Sequence, residues 1–219
     1  MKIPQHLINN YQAIDPESQI LYDLFDEPPN SKILEIGSHD APTASMLSSC
    51  GFDVTGIDLR DCDQTPNYKH IKHNFCDLPQ SFVIQNLNTF DSIITISSIE
   101  HFGLGTYLEG NYRSHLDFVA MRRIYEFLKV GGTCYVSVPF GGRFAEFMHH
   151  WRVYDLASLK DRIIQDFSVE ILTFKICEDI YLMDKMFKRG EIADFIHACF
   201  NMTHSPAISA FMKLRKVTP

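Results

Sequence analysis

Acidic, hydroxyl and imidazole side chains recur in this sequence directly after short apolar runs. Ser97, Ser98, Glu100 and His101 follow one such run, and Asp58 ends another. A histidine with an ordinary pKa near 6.5 can accept a proton at neutral pH, and a neighbouring carboxylate can orient its ring. A carboxylate at the end of a strand can also accept hydrogen bonds from both hydroxyls of a ribose. The spacing therefore predicts a site that combines a diol-binding acid with a general base.

His101 is our first candidate for the general base, and Glu100 is the candidate for the carboxylate that orients it. His149 and His150, which follow the predicted fifth strand, are further candidates. Each has an alternative interpretation. His101 can pack beside a ligand or cap the next helix without moving a proton, whereas His149 and His150 can belong to a surface loop.

Elements of two kinds must position these residues. From Lys32 onward, short β-branched runs alternate with longer segments of helical spacing, which predicts an α/β fold with a mostly parallel sheet covered by helices on both faces. The predicted strands are 32–37, 53–59, 70–74, 91–97, 133–139, 169–175 and 209–217. We expect a single domain over 1–219, with an N-terminal helical segment at 1–31 and an insertion at 178–206 before the last strand.

The first strand leads into a short loop that suits ligand binding. Ile33 to Gly37 is an apolar run that ends in glycine, and Pro42 is well placed in the first turn of the following helix. In open α/β sheets, ligands bind outside the carboxyl ends of the strands, where such a loop presents backbone N–H groups. Asp58 arrives 21 positions after Gly37, at the end of the second strand.

The segment from Glu35 to Ala41 resembles the first motif of the class I methyltransferases that use S-adenosylmethionine, an acid followed by three alternating glycines. Only Glu35 and Gly37 match, because His39 and Ala41 stand at the second and third glycine positions. The resemblance implies a Rossmann-like seven-stranded sheet in the order 3-2-1-4-5-7-6. It implies that Asp58 binds the ribose and that Asp77 contacts the adenine amino group. The cofactor-binding residues expected on this basis are Glu35, Gly37, Ser38, His39, Asp58, Leu59, Asp77, Leu78, Ser97 and Ser98.

Later motifs extend this resemblance over roughly residues 32–172. Ile99-Glu100-His101 is similar to the motif after strand four of many such enzymes, and Gly131-Gly132 is similar to the turn before their strand five. Ser97 to Tyr107, together with Arg152 and Tyr154, resembles an uncharacterised methyltransferase-like family with a Ser-Ser-x-Glu-His-x-Gly-Leu-Gly motif. The resemblance implies transfer of a methyl group from S-adenosylmethionine to a small molecule, and the histidines favour a hydroxyl oxygen as the acceptor.

Two other functions compete with methyl transfer. A nicotinamide dinucleotide would require Gly-x-Gly-x-x-Gly, so that the backbone can approach a pyrophosphate, and this pattern is absent. A non-catalytic S-adenosylmethionine-binding or scaffold protein is the second alternative, because His39 and Ala41 replace two glycines of the motif.

Composition limits the partners. The chain has 219 residues and a formal net charge of −7, which disfavours nucleic acid. No apolar run approaches about 18 residues, so we expect no membrane segment. Six dispersed cysteines without a C-x-x-C pair argue against a metal site and against disulfides, and residues 1–10 lack the apolar core of a signal peptide. We therefore expect a cytoplasmic protein that is a monomer or a homodimer.

Overall fold

A computed structural model of the chain describes residues 3, 16–39, 42–62, 65–105, 107, 109–147, 150–176 and 208–218. Seven strands form the main sheet: β1 Lys32–Ile36, β2 Asp53–Asp58, β3 Lys69–Lys72, β4 Phe90–Ile96, β5 Leu128–Pro139, β6 Ser168–Ile176 and β7 Ile208–Arg215. The helices are α1 Pro16–Leu24, α2 Pro42–Ser49, α3 Gln80–Asn86, α4 Leu116–Phe127 and α5 Leu156–Ser158, which continues as π-helical turns over Leu159–Ile164.

The sheet confirms the predicted topology. Its strand order is β3-β2-β1-β4-β5-β7-β6, which is the predicted 3-2-1-4-5-7-6. The strands from β1 to β5 pair in parallel, whereas β7 runs antiparallel to both β5 and β6. Because the strand order reverses between β1 and β4, their carboxyl ends leave a crevice, which is where ligands bind in open α/β sheets. The fold is the Rossmann-like methyltransferase fold.

Helices bury both faces of the sheet. Successive residues of β1 point to opposite sides, so that Ile33 belongs to one apolar cluster and Leu34 to the other. One face packs against the apolar side of α4, including Met121 and Ile124, and neither side chain is exposed. This double burial explains why the strands read as continuous apolar runs rather than as alternating ones.

The N-terminal helix α1 packs on the second face. The segment that follows it brings Phe25 to the sheet, where its ring lies 5.6 Å from that of Tyr135 on β5 and 5.4 Å from that of Phe52. These contacts show that the segment after α1 covers this face of the sheet. The predicted insertion at 178–206 lies outside the described residues.

The structural positions of Gly131 and Gly132 differ from the expectation for a turn before strand five. We expected them to end the helix before β5, but α4 already ends at Phe127 and the chain is extended from Leu128. The register between β4 and β5 shifts between the pairs Phe90–Leu128 and Ser92–Thr133, so the two glycines lie in an irregular segment of the strand. Gly131 has a φ of 81° there, a conformation that glycine adopts without steric cost.

Candidate functional site

A cleft opens at the carboxyl ends of β1, β2 and β4, at the point where the strand order reverses. Its volume is about 280 Å³. The lining residues are Ile36, Gly37, Ile57, Asp58, Leu59, Arg60, His73, Asn74, Phe75, Ile96, Ser97, Ser98, His101, Phe102, Tyr107 and Glu109. Six predicted site residues are thereby brought together: Gly37, Asp58, Leu59, Ser97, Ser98 and His101.

The floor of the cleft is formed where the loops after β1 and β4 cross. Gly37 has a φ of 82° and donates its N–H to the carbonyl of Ile57 at 2.9 Å. A Cβ atom at this position would lie only 2.0 Å from Oγ of Ser98. Glycine is therefore required at residue 37 both for its backbone conformation and for the close approach of Ser98.

Asp58 lies at the end of β2 and is largely buried. Its Oδ2 accepts the backbone N–H of His39 at 3.1 Å, and its Oδ1 accepts the backbone N–H and Nε–H of Arg60 at 2.9 and 3.1 Å. Burial by itself would raise the pKa of Asp58, but the hydrogen bonds from Arg60 and His39 outweigh it and hold the pKa below its ordinary value. Asp58 is thus ionised at neutral pH and can accept hydrogen bonds from a diol.

Arg60 and Tyr107 form a wall of the cleft that the sequence did not predict. The Arg60 guanidinium lies over the Tyr107 ring, 4.6 Å from its centroid, while donating to Asp58. The same ring lies 5.4 Å from the imidazole of His101 in an edge-on arrangement. Tyr107 therefore connects the Asp58 side of the cleft with the His101 side, although its positive φ of 51° costs energy for a residue with a Cβ.

His101 lies in the cleft on the 3-10 turn Ile99–His101 that follows β4. Its Nδ1 is hydrogen-bonded to the backbone carbonyl of His150. Because a carbonyl can only accept, Nδ1 carries the proton and Nε2 of the neutral ring carries the lone pair. Nε2 lies 3.8 Å from Oε1 of the buried Glu100, which is beyond hydrogen-bond distance, so an orienting role of Glu100 stays a prediction.

The environment of His101 favours its neutral form. Burial lowers the pKa of His101 below 6.5, and the positive charges of Arg152 and Arg60 lower it further, against an opposing effect of the His150 carbonyl. At neutral pH the imidazole is therefore unprotonated at Nε2. This is the state that a general base requires.

Glu109 is a further lining residue that the sequence did not predict. Its carboxylate accepts the N–H of Gly103 at 2.6 Å and the N–H of Gly105. Burial raises the pKa of Glu109, and these N–H groups together with Arg113 and Arg152 oppose the rise. Both arginines form their ion pairs with other carboxylates. Within the described ranges, no ion pair involves Glu109, and the residue lines the cleft.

Three predicted residues of the first loop lie beneath the cleft rather than in its lining. Glu35, near the end of β1, is 2% exposed, and burial raises its pKa to about 8. The N–H of Ala44 lowers this pKa, whereas the charge of Asp58 raises it further. Ser38 is fully buried, with its carbonyl accepting from Oη of Tyr68 at 3.3 Å. His39 contacts the site through its backbone N–H to Asp58.

Asp77 and Leu78, the predicted adenine contacts, do not line the cleft either. Asp77 is exposed and forms a two-pronged ion pair with Arg113, with distances of 2.9 and 2.7 Å. Asn74 and Phe75 line the cleft in that region, and the side chain of Asn74 accepts the N–H of Cys76. Their position directly after β3 is the signal that could have identified them.

The remaining predicted histidines differ in their placement. The imidazole of His150 is exposed, and the residue reaches the site through its carbonyl. His149 lies outside the described residues. No cluster of three or more metal-ligating side chains occurs in the ranges that the structure describes. None of the helices in those ranges has the length and apolar character that a membrane crossing requires.

Solved structures with the same fold include S-adenosylmethionine-dependent methyltransferases. One is the 1,6-didemethyltoxoflavin-N1-methyltransferase of Burkholderia thailandensis, solved with bound 1,6-didemethyltoxoflavin and S-adenosylhomocysteine. It is 15% identical with a TM-score of 0.59, over 98% of this chain and 82% of that chain. Another is phosphoethanolamine N-methyltransferase 2 of Haemonchus contortus, which is 13% identical with a TM-score of 0.57; it matches 92% of this chain, which spans 52% of that enzyme.

A third similar structure has a different activity in its name. The [4+2]-cyclase SpnF is 15% identical with a TM-score of 0.61, over 95% of this chain and 82% of that chain. At such identities the likeness concerns the fold alone. No curated protein sequence matches the chain. A family model described as "Caenorhabditis protein of unknown function, DUF268" matches residues 64–174, half of the sequence, and the chain therefore belongs to the DUF268 family.

Proposed function

We propose that this protein is an S-adenosylmethionine-dependent methyltransferase that methylates a hydroxyl oxygen of a small molecule. The observation that carries the proposal is the presence of Asp58 and a neutral His101 in one cleft at the carboxyl ends of β1, β2 and β4. The first can bind the ribose of the cofactor, and the second can receive the proton of the acceptor. The solved relatives that bind S-adenosylhomocysteine have the same fold.

The adenosyl half of the cofactor fits the β2 and β3 side of the cleft. Asp58 would accept the ribose hydroxyls, with Leu59 beside it. Asn74 and Phe75 would contact the adenine, because both line the cleft directly after β3. Asp77 and Leu78 remain alternative adenine contacts, as the family resemblance implies.

The methionine half would lie towards the loops after β1 and β4. Gly37 leaves the space for it, and Ser97 and Ser98 offer hydroxyl groups. We propose that Glu109 contacts a positively charged group of the methionine half, because no ion pair involves its carboxylate among the described residues. S-adenosylmethionine has two positive groups, its ammonium and its sulfonium.

When bound, the cofactor would supply an activated methyl group for in-line displacement, in which the methyl–sulfur bond breaks and its electron pair remains on the sulfur. His101 would hold the acceptor hydroxyl at Nε2 and take its proton as the acceptor oxygen forms its bond to the methyl carbon. Glu100 would stabilise the resulting imidazolium from 3.8 Å. Alignment of the two reactants supplies most of the acceleration, and the base contributes a factor of about 10² to 10⁴.

Two measurements test this proposal. Isothermal calorimetry with S-adenosylmethionine and S-adenosylhomocysteine should show binding, and the complete absence of heat at millimolar concentration would exclude the enzyme. Incubation of the protein with methyl-labelled S-adenosylmethionine and a small-molecule extract should then transfer the label. Hydrolysis of the product under conditions that cleave esters but not ethers would identify the class of oxygen that is methylated.

A non-catalytic protein that binds S-adenosylmethionine is the second candidate. The contact of Arg60 with both oxygens of Asp58 favours it, since a ribose must share or displace these hydrogen bonds. The cyclase SpnF also has this fold. Tight binding of S-adenosylmethionine with no methylated product from any extract would support this candidate.

The partners and location belong to the same proposal. A net charge of −7 disfavours a nucleic acid as the acceptor. We propose a small-molecule acceptor and a cytoplasmic enzyme that acts as a monomer or a homodimer. Methyl transfer to a purified RNA, but not to the small-molecule extract, would contradict the acceptor class.

A further inference from the structure

Arg152 connects a short hairpin to the turn that holds His101. The hairpin pairs Ala145–Glu146 with Arg152–Val153, and the Arg152 side chain is completely buried. Its Nη1 donates to the carbonyl of Phe102 at 2.6 Å and to that of Glu100 at 3.4 Å. These two carbonyls belong to the residues on either side of His101.

The hairpin contacts His101 a second time through its own backbone. The carbonyl of His150 accepts the Nδ1 proton of His101. Hydrogen bonds between Phe147 and its neighbours across the turn hold this carbonyl in place, because Phe147 donates to Trp151 and accepts from His150, both at 2.9 Å. The hairpin therefore contacts both the imidazole and the backbone of the same residue.

A set of buried charges holds the Arg152 guanidinium in place. Its Nε lies 3.4 Å from Glu146 and 3.7 Å from Asp117, and its Nη2 donates to the carbonyl of Ser114 at 3.2 Å. Asp117 in turn accepts Oη of Tyr154 at 2.8 Å. A buried arginine with this many partners cannot turn towards solvent without leaving carboxylates and carbonyls unpaired.

We propose that Arg152 is a positioning residue for His101, so that the paired segments 145–146 and 152–153 are a structural part of the active site. The term active site rests on the proposed function, but the effect of Arg152 on the geometry and charge of His101 does not. Positioning of this kind matters because a displacement of about 1 Å can lower turnover by roughly 10²-fold.

The charged and titratable groups around His101 come from three segments. Glu100 lies on its own turn, Arg60 follows β2, and Arg152 and His150 belong to the hairpin. Tyr107 adds a ring contact. Burial lowers the pKa of His101 most strongly, and the positive charge of Arg152 lowers it further. Removal of that charge should therefore raise the pKa of His101.

The test is an NMR titration of the histidine rings in the free protein, which needs no acceptor. The His101 signal is assigned by its loss in His101→Gln. Arg152→Gln should raise the pKa of His101. Arg152→Lys retains the charge and should leave this pKa unchanged, although one ammonium group cannot reach all the carbonyls that Arg152 contacts. Once an acceptor is known, Arg152→Lys should lower kcat by about 10- to 100-fold with little change in KM.

Tyr154→Phe is the matched structural control. It removes a buried hydrogen bond to Asp117 but leaves the contacts of Arg152 with Glu100 and Phe102 unchanged. It should lower the melting temperature by about 2 to 4 °C and leave the His101 titration unchanged. An equal shift of the His101 pKa in Tyr154→Phe and Arg152→Gln would overturn the proposal, as would no shift in Arg152→Gln.

Glu146→Gln keeps the proposal testable if the Arg152 variants do not fold. Glu146 is the more exposed of the two carboxylates near Arg152, and its neutralisation should lower the His101 pKa. A rise would contradict the proposal. If these shifts occur but His101→Gln does not alter methyl transfer, the positioning is correct and the proposed role of His101 as the base is wrong.

Discussion

The side chain of His101 and the backbone carbonyl of His150 form one hydrogen bond that determines which ring nitrogen of His101 is basic. The two residues are 49 positions apart in the chain. Because the proton is held on Nδ1, Nε2 is the nitrogen with a lone pair. His150 was itself predicted to be a candidate base, but its contribution to the site comes from its main chain.

His101→Gln should lower methyl transfer by about 10²- to 10⁴-fold while changing the affinity for S-adenosylhomocysteine by less than about threefold. In the unmodified protein, kcat/KM should fall at acidic pH with a midpoint below 6.5, because burial and Arg152 lower the pKa of His101. Label transfer as a function of pH measures both effects. His73→Gln is the control, because His73 is a second histidine in the cleft. An equal loss of methyl transfer in His73→Gln would contradict the assignment of His101 as the general base.

Asp58→Asn should weaken the binding of S-adenosylhomocysteine by about 1 to 3 kcal/mol, because the amide replaces one of the two acceptor oxygens by an NH₂ donor. Asp77→Asn should change this affinity by less than about twofold, since Asp77 is exposed and pairs with Arg113 outside the cleft. Calorimetry on the two variants compares the two predicted acids directly. If Asp77→Asn is the more damaging substitution, the adenine contact belongs to Asp77.

Glu109→Gln should weaken the binding of S-adenosylmethionine by about tenfold or more, because hydrogen bonds with charged partners contribute roughly 1.5 to 3 kcal/mol. The amide oxygen can still accept the Gly103 N–H, so the loop should be retained. An equal loss for S-adenosylhomocysteine would identify the ammonium as the partner, and a loss confined to S-adenosylmethionine would identify the sulfonium. Unchanged affinity for both ligands would refute the assignment of Glu109.

Glu35→Gln should stabilise the protein progressively as the pH rises. Burial raises the pKa of Glu35 from 4.5 to about 8, so the folded protein keeps a proton that the unfolded chain releases. The stability supplied by this proton is complete below pH 4.5 and is lost as the pH rises towards 8. At about 1.4 kcal/mol per pH unit, the free energy of unfolding of the variant, relative to that of the unmodified protein, should rise by about 2 to 3 kcal/mol between about pH 5.5 and 7.5. Urea unfolding at both pH values measures this gain, and a constant difference would contradict it.

Gly37→Ala should destabilise the protein by about 2 to 4 kcal/mol, through a positive φ that alanine disfavours and a close contact with Ser98. Ser98→Gly in the same chain should restore only the contact part, because it cannot relieve the backbone strain. Thermal unfolding of the two single variants and the double variant separates these contributions. If the changes in stability caused by the two substitutions are additive, residues 37 and 98 do not interact.

The elements of the fold were largely predictable from the sequence because their signals are local. A strand such as Ile33–Ile36 that is buried on both sides is mostly apolar, with Glu35 as the exception, and a helix such as α4 must place apolar residues at helical spacing. Gly131 shows the limit of this reasoning. A glycine pair signals a positive φ but not whether a helix end or an irregular strand requires it.

The sequence by itself determined the alternation of strands and helices and the residues at the carboxyl ends of the strands, and its resemblance to a known family implied the strand order. Tertiary structure decided which of these side chains share a cleft. It showed that Asp58 lines the cleft and Asp77 does not. Asp58 accepts from Arg60, which also lines the cleft, whereas Asp77 pairs with Arg113 outside the lining. It also placed Glu109 in the lining of the cleft and brought Arg152 to Glu100 and Phe102, about 50 positions away in the chain. Burial and the charges of neighbouring elements are properties of packing, and no local pattern encodes them.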